Sequence, residues 1–272
     1  MTFNFREVLV SLASGLLLFS FLFSVNTLLT INAVDATFLN KGFVVALLEK
    51  HGFYDALYDN VLPGLLGAKN PEVAALVKQL LPPEAFKLVV NNIVSDLLHY
   101  LRDPSASIPV VVIPASGVLK ETSISASEIF REKPLADAKS LVQLMLSLKT
   151  ILAVVSLVLL AMIAVIPKTI PAKLKKIGYA LFLAGFSGIT FYLAFQYLVP
   201  AFPLPRFASP ESQIQETVLN IFTDISSGIG NSILWQSVPL AVVGIVIALA
   251  GFWTEGRRKK KKKREGLGKQ LP

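Results

Sequence analysis

Four stretches of this chain, residues 8–34, 150–166, 177–199 and 232–253, contain no Asp, Glu, Lys, Arg or His. A segment that crosses a bilayer must pair its own backbone polar groups, which leaves helices or closed barrels. A helix needs about 20 apolar residues for this, with ~17 as the lower limit. Three stretches qualify outright. The second is short, but apolar residues 141–148 precede it and lengthen the helix, with Lys149 snorkelling toward the interface. The pattern predicts an all-α membrane protein: a four-helix transmembrane bundle with a mainly helical extracytoplasmic domain between the first and second spans. A mean hydropathy of +0.62 and 16% charged residues fit that class and not a soluble one.

Charge sets the orientation. The connection 167–176 carries four Lys and no acid, and the segment from Thr254 onward carries nine Lys or Arg against two Glu. Residues 35–149 hold eleven basic and twelve acidic side chains, and residues 200–231 hold one and three. Lys and Arg near short loops are retained on the cytoplasmic side, so both termini are expected in the cytoplasm and residues 35–149 and 200–231 outside a plasma membrane. The expected layout is 1–34 for the N-terminus and first span, 35–139 for the external domain, and 140–166 for the second span with its external lead-in. A cytoplasmic loop follows at 167–176, then the third span at 177–199. The second external loop takes 200–231, the fourth span 232–253, and a basic cytoplasmic tail 254–272. Val34-Asp35-Ala36 offers the small residues that a signal peptidase accepts. The apolar region before it is about twice the usual 7–15 residues, with Arg6 offset by Glu7, so a retained span is the preferred reading.

The external domain reads as helical. Residues 41–51 and 54–66 form two short helical patterns divided at His51-Gly52, and 71–81 a third, with Asn70 as N-cap and Pro71 at its first position. Pro82-Pro83-Glu84 opens a longer helix. Phe86, Val89, Val90, Ile93, Val94, Leu97, Leu98 and Leu101 follow helical spacing in it, and Asp103-Pro104 ends it. The β-branched run 108–113 suits an edge strand or extended cover, and 125–131 a helical piece, while 135–148 should run as one helix into the second span. In the second loop, Pro200, Pro203, Pro205 and Pro210 keep the chain extended. Beyond them Ile214, Val218, Ile221, Phe222, Ile225 and Ile229 make one apolar stripe that either lies on the outer leaflet or packs on the larger domain; packing is preferred because its opposite face is acidic, unlike the basic face of membrane-surface helices.

No catalytic constellation emerges, and neither enzyme activity nor a cofactor is expected. The chain has no Cys, which removes disulfides, thiol nucleophiles and Cys-based metal sites. His51 and His99 lack metal-binding spacing. Asp55 and Asp59 share a helix face and read as solvated. Ser226-Ser227-Gly228-Ile229-Gly230 has no Lys after it and is no phosphate loop. Asn26, Thr27, Thr30 and Gln196 lie toward the external ends of their spans, where interhelical hydrogen bonds are the plain reading and a polar substrate site the sharper one.

Two features remain as candidate sites. Ala180, Ala184 and Gly188 on the third span, and Ala241, Gly244, Ala248 and Gly251 on the fourth, are small-residue seams along which the two helices should pack closely. Arg257, Arg258, Lys259, Lys260, Lys261, Lys262, Lys263 and Arg264 follow the last span directly. This basic run reads as a topology lock, as an anchor to anionic lipids, or, last in order, as a nucleic-acid contact, which no aromatic interleaving supports.

The layout of four spans with a large first external loop resembles that of claudins, although their loop carries a Trp- and Cys-containing motif. Here Cys is absent, and Trp235 and Trp253 flank the last span. The chain is also similar to uncharacterised prokaryotic four-span membrane proteins in its Leu-Pro-Pro-Glu start at 81–84, leading to Leu-His-Tyr-Leu-Arg at 98–102. That resemblance implies no activity. The expected function is non-catalytic: interaction, assembly or scaffolding through the external domain, with a protein partner or a second copy. The alternative is a carrier or accessory subunit for lipids or other apolar molecules. The expected partners are otherwise the bilayer and its anionic lipids at the cytoplasmic face, without nucleic acid.

Overall fold

The computed structural model describes residues 5–60, 81–113, 122–125, 132–198 and 212–268. Among these lie seven helices: α1 (Phe5–Ala36), α2 (Lys41–Lys50), α3 (Phe53–Asn60), α4 (Pro83–Arg102), α5 (Glu132–Val165), α6 (Ile170–Leu198) and α7 (Ser212–Gly268). Two short strands, β1 (Val110–Ile113) and β2 (Thr122–Ser125), pair antiparallel with Val110 opposite Ser125 and Ile113 opposite Thr122. The helical class stands, and the ladder adds to it. Within α1, α5, α6 and α7, the segments Val10–Ala36, Lys133–Val165, Ile170–Ala194 and Glu216–Lys260 are long and apolar enough to cross a membrane. The chain is a multi-pass membrane protein.

Several boundaries move. The β-branched run is strand β1, and Ser125, expected to start a helical piece, ends strand β2. Helix α6 begins inside the Lys-rich connection, since the Thr169 carbonyl accepts from Lys173 N at 2.9 Å and Pro171 suits an opening turn. Helix α7 joins the amphipathic segment, the apolar segment and the basic run into 57 residues with Pro239 inside. Glycines at 228 and 230 cost about 1 kcal/mol each in a helix interior, too little to break it. Pro239 lacks the N–H that would bond the Trp235 carbonyl, a loss that spanning helices tolerate. Residues 71–80 of the expected helix 71–81 with its Asn70 cap, the extension 61–66, residues 126–131 of the expected piece 125–131 and the proline-rich stretch 200–210 lie outside the described residues.

The chain divides into two compact units. Unit 1 comprises Met1–Ala33, Leu148–Phe195 and Gly230–Pro272, and unit 2 comprises Val34–Ser147 and Gln196–Ile229. In unit 1, Phe21, Val25 and Leu29 of α1 bury against Ile163 of α5 and Ala180 and Ala184 of α6. Hydroxyls and one amide tie the same helices. Ser24 Oγ lies 2.9 Å from Ser156 Oγ, and Asn26 Nδ2 donates to Ser187 Oγ at 2.8 Å. Away from these contacts Phe23, Leu157, Phe186 and Val246 are exposed, which suits helices long and apolar enough to cross a membrane.

Unit 2 is built differently. Leu48 of α2, Tyr54 of α3, Leu81, and Phe86 and Val90 of α4 form one core, with Ile221 of α7 packed against it. Leu39, Leu98, Tyr100, Leu101, Leu135 and Val142 form a second, joining α4 to α5. Local sequence sets the ends of these helices. Asn40 caps α2 by accepting from Phe43 N at 3.3 Å, and Gly52, at φ +61°, takes the left-handed conformation that stops it. Pro82 and Pro83 open α4, and Asp103 closes it. The Asp103 carboxylate accepts from Ser105 Oγ at 2.7 Å and Ser105 N at 2.8 Å, and these bonds hold its pKa below the ordinary carboxylate value.

Candidate functional site

The first candidate lies in unit 2, where α7 docks on α2. Ile221 enters the core, Asp224 receives Lys50 Nζ at 2.5 Å and His51 Nε2 at 2.9 Å, and Gly228 takes the ring of Phe43. These positions, with buried Thr217, recur at i, i+4, i+7 and i+11 and make one helix face. Hydrogen bonds from Lys50 and then His51 hold the Asp224 pKa below its ordinary value. The expected stripe is thereby corrected. Ile221 packs inward, but Val218 and Phe222, counted on the same apolar face, are exposed together with Leu219. The docked face lies about a quarter turn from the stripe's centre, because an ion pair and a glycine contact outweigh residue-by-residue hydrophobicity. Ser226 and Gly228 sit inside α7, so the segment is helix and not a phosphate loop.

The other polar residues singled out in the sequence sort by partner. Asn26 makes the expected interhelical bond, whereas Thr27 Oγ1 and Thr30 Oγ1 bond their own helix, to the Phe23 and Asn26 carbonyls at 2.8 and 2.9 Å. Gln196 is exposed. His99 lies 3.8 Å from Asp103 one turn on, at the surface. Asp55 and Asp59 are exposed on α3. Among the described residues, no group of three or more His, Asp or Glu side chains is placed to hold a metal ion.

The second candidate is the contact between α6 and α7 in unit 1. A Cβ at Gly185 would meet Ser237 O at 2.6 Å, one at Gly178 would meet Gly244 O at 2.7 Å, and one at Gly244 would meet Gly178 O at 2.8 Å. Backbone therefore touches backbone. On α7, Ala241, Gly244 and Ala248 lie on Gly185 and Gly178, and Gly251 lies on Pro171 and Lys175. On α6, Gly188 faces Ser237, and Ala180 and Ala184 are buried in the cluster of Phe21, Val25 and Leu29, on which Leu240 of α7 also packs. Gly178 and Ala180 are two residues and about 200° apart around the helix, so they serve different neighbours. Gly178 and Gly185, seven residues apart and so on one helix face, are members of this contact that the expected α6 seam left out.

The third candidate is the basic end of unit 1. Arg257 and its seven basic successors lie on α7, where Arg257 stacks on the Trp253 ring at 3.7 Å. Glu255 accepts from Lys175 of α6 and, at 2.9 Å, from Lys259. Those two ammonium groups, Lys175 first, lower its pKa to about 2. Lys175 also covers the Phe252 ring at 3.9 Å, and Lys176 donates to Ser14 Oγ of α1 at 3.2 Å. Lys175 of the Lys-rich connection and Lys259 of the basic run, far apart in sequence, thus meet on Glu255.

Fold and surfaces together define a multi-pass helical membrane protein whose distinctive features are contact surfaces. No protein-family model, no curated protein and no solved structure matches this chain.

Proposed function

We propose that this chain is a non-catalytic interaction protein of the plasma membrane. In this reading both termini are cytoplasmic and unit 2 faces outward to bind a protein partner or a second copy. The observation that carries it is the apolar surface of Val218, Leu219 and Phe222, open on a helix whose neighbouring face is already docked on α2. These side chains precede Ser232, the start of the apolar segment, by 10–14 residues. That is about 15–21 Å of helix. Exposed apolar side chains in water mark contact sites when they cluster.

Purification from mild detergent after photo-crosslinking at position 222 tests this. A discrete adduct with a protein or a second copy is expected, and its loss in Val218→Ser/Leu219→Ser should follow. A strictly monomeric chain without an adduct contradicts the proposal. A stoichiometric apolar molecule recovered in place of a protein shifts the function to carriage.

A further inference from the structure

The basic patch of unit 1 has a composition and a height that select a partner. Its depth is fixed by aromatic side chains. Trp253, Phe252 and Tyr179 are exposed where the apolar surface ends, with Phe252 and Tyr179 ring centroids 6.4 Å apart, and such rings settle at the headgroup level. Lys176 and Lys173 precede Ile177, the start of the apolar segment of α6, by one and four residues, within about 6 Å along the helix. Arg257 and Arg258 follow Trp253 by four and five residues, about 6–8 Å. All four lie within a Debye length of the headgroup plane, about 8 Å at physiological salt. The helix backbone continues to Gly268, which carries residues 261–264 to about 12–17 Å past Trp253, outside that length.

Glu255 is the acid facing this patch among the described residues, and Lys175 and Lys259 already neutralise it. Among the described residues Lys173, Lys176, Arg257 and Arg258 have no acidic partner. Their positive charge is left for the surroundings, and at this depth the surroundings are lipid phosphates.

We propose that Lys173 and Lys176 of α6, with Arg257 and Arg258 of α7, form a docking surface for anionic phospholipid headgroups. The distal half of the basic run, Lys261 to Arg264, contributes little to it. The surface is built from two chain segments and is not a property of the tail alone. The outward role of unit 2 is not needed for this inference, and its failure in the crosslinking test leaves the lipid surface untouched.

The full chain with Trp235→Phe retains Trp253 as its single tryptophan, a fluorescence donor beside the patch. It is reconstituted in phosphatidylcholine vesicles holding a trace of dansyl-labelled phosphatidylglycerol or, separately, dansyl-labelled phosphatidylcholine. Energy transfer from Trp253 to the anionic probe is expected to show roughly threefold enrichment over the zwitterionic one at low salt. It should approach parity at 1 M salt. Lys173→Gln/Lys176→Gln/Arg257→Gln/Arg258→Gln abolishes the enrichment, while Gln at the four positions 261–264 removes the same number of charges and leaves most of it. Exchanging Lys for Arg and Arg for Lys at the first four positions preserves it, which separates charge from folding. The proposal is overturned if the unsubstituted chain shows no preference, if the distal set costs as much as the proximal set, or if the charge-preserving exchange also abolishes it.

Discussion

Units 1 and 2 solve the same problem, holding helices together, with different residues. In unit 1, α6 and α7 meet through Gly178, Gly185 and Gly244 with no side chain between them, and large apolar side chains such as Leu157 and Val246 point away. In unit 2, Leu48, Tyr54, Phe86 and Val90 point inward, and ion pairs such as Lys50–Asp224 close the edge. The surroundings proposed above, lipid for unit 1 and water for unit 2, account for the contrast. Lipid tails are as apolar as leucine, so association there depends on close fit and interhelical hydrogen bonds. Water instead rewards burial of apolar area, roughly 25 cal/mol per Å². A helix shared by both units, α7, follows both rules along its length.

The contrast is broken most severely at Gly185. Leucine there would drive its Cβ into Ser237 O and the Ala241 backbone, neither of which can rotate aside. About 3 kcal/mol should be lost, the upper end for overpacking, read as a collapse of the thermal midpoint in detergent. Leucine at Gly15, where a Cβ meets nothing within 4 Å, should leave it in place. The equivalent blow to unit 2 is a deletion. Phe86→Ala removes the side chain shared by α3 and α4 and should cost about 3–5 kcal/mol, seen as faster hydrogen exchange in α2–α4 with unit 1 unchanged. Phe23→Ala, on the exposed surface of unit 1, should cost far less.

Smaller effects sharpen the comparison. The Asp224 pKa is depressed in the folded state, so its stabilisation is complete above the unfolded carboxylate value near 4. It is lost as pH falls through the lower folded value. Asp224→Asn should remove about 1 kcal/mol at neutral pH and flatten the acid limb of a stability–pH profile. A steep acid limb in that variant assigns the effect elsewhere. Asn26→Leu, which loses the bond to Ser187, should cost only about 0.6 kcal/mol, the usual worth of an interhelical bond in a membrane.

Much of this was legible in the sequence where the signal is local. The proline pair at 82 and 83, Asp103-Pro104 and the break at His51-Gly52 mark helix ends because caps and φ limits act within a few residues. The uncharged stretches announce the spans for the same reason. Partners distant in sequence were not legible. Nothing near His51 foretells Asp224, 173 residues on. Ala180 and Gly178 look equally suited to a seam, and only the neighbour's position decides between them. The stripe of Val218 and Phe222 misled because hydrophobicity alone does not weigh Asp224 and Gly228, whose contacts orient the helix.

Leu88 of unit 2 and Leu157 of unit 1 are 64% and 71% exposed, so they offer a matched pair for the central claim that one unit meets water and the other lipid. The chain has no cysteine, and single Leu88→Cys, Leu157→Cys and Gly256→Cys variants report cleanly with a membrane-impermeant maleimide on intact cells. The expected result is rapid labelling at position 88, labelling at 256 only after permeabilisation, and none at 157 until the membrane is dissolved. Labelling at 157 as fast as at 88 in intact cells, or at 256 before 88, would contradict the account.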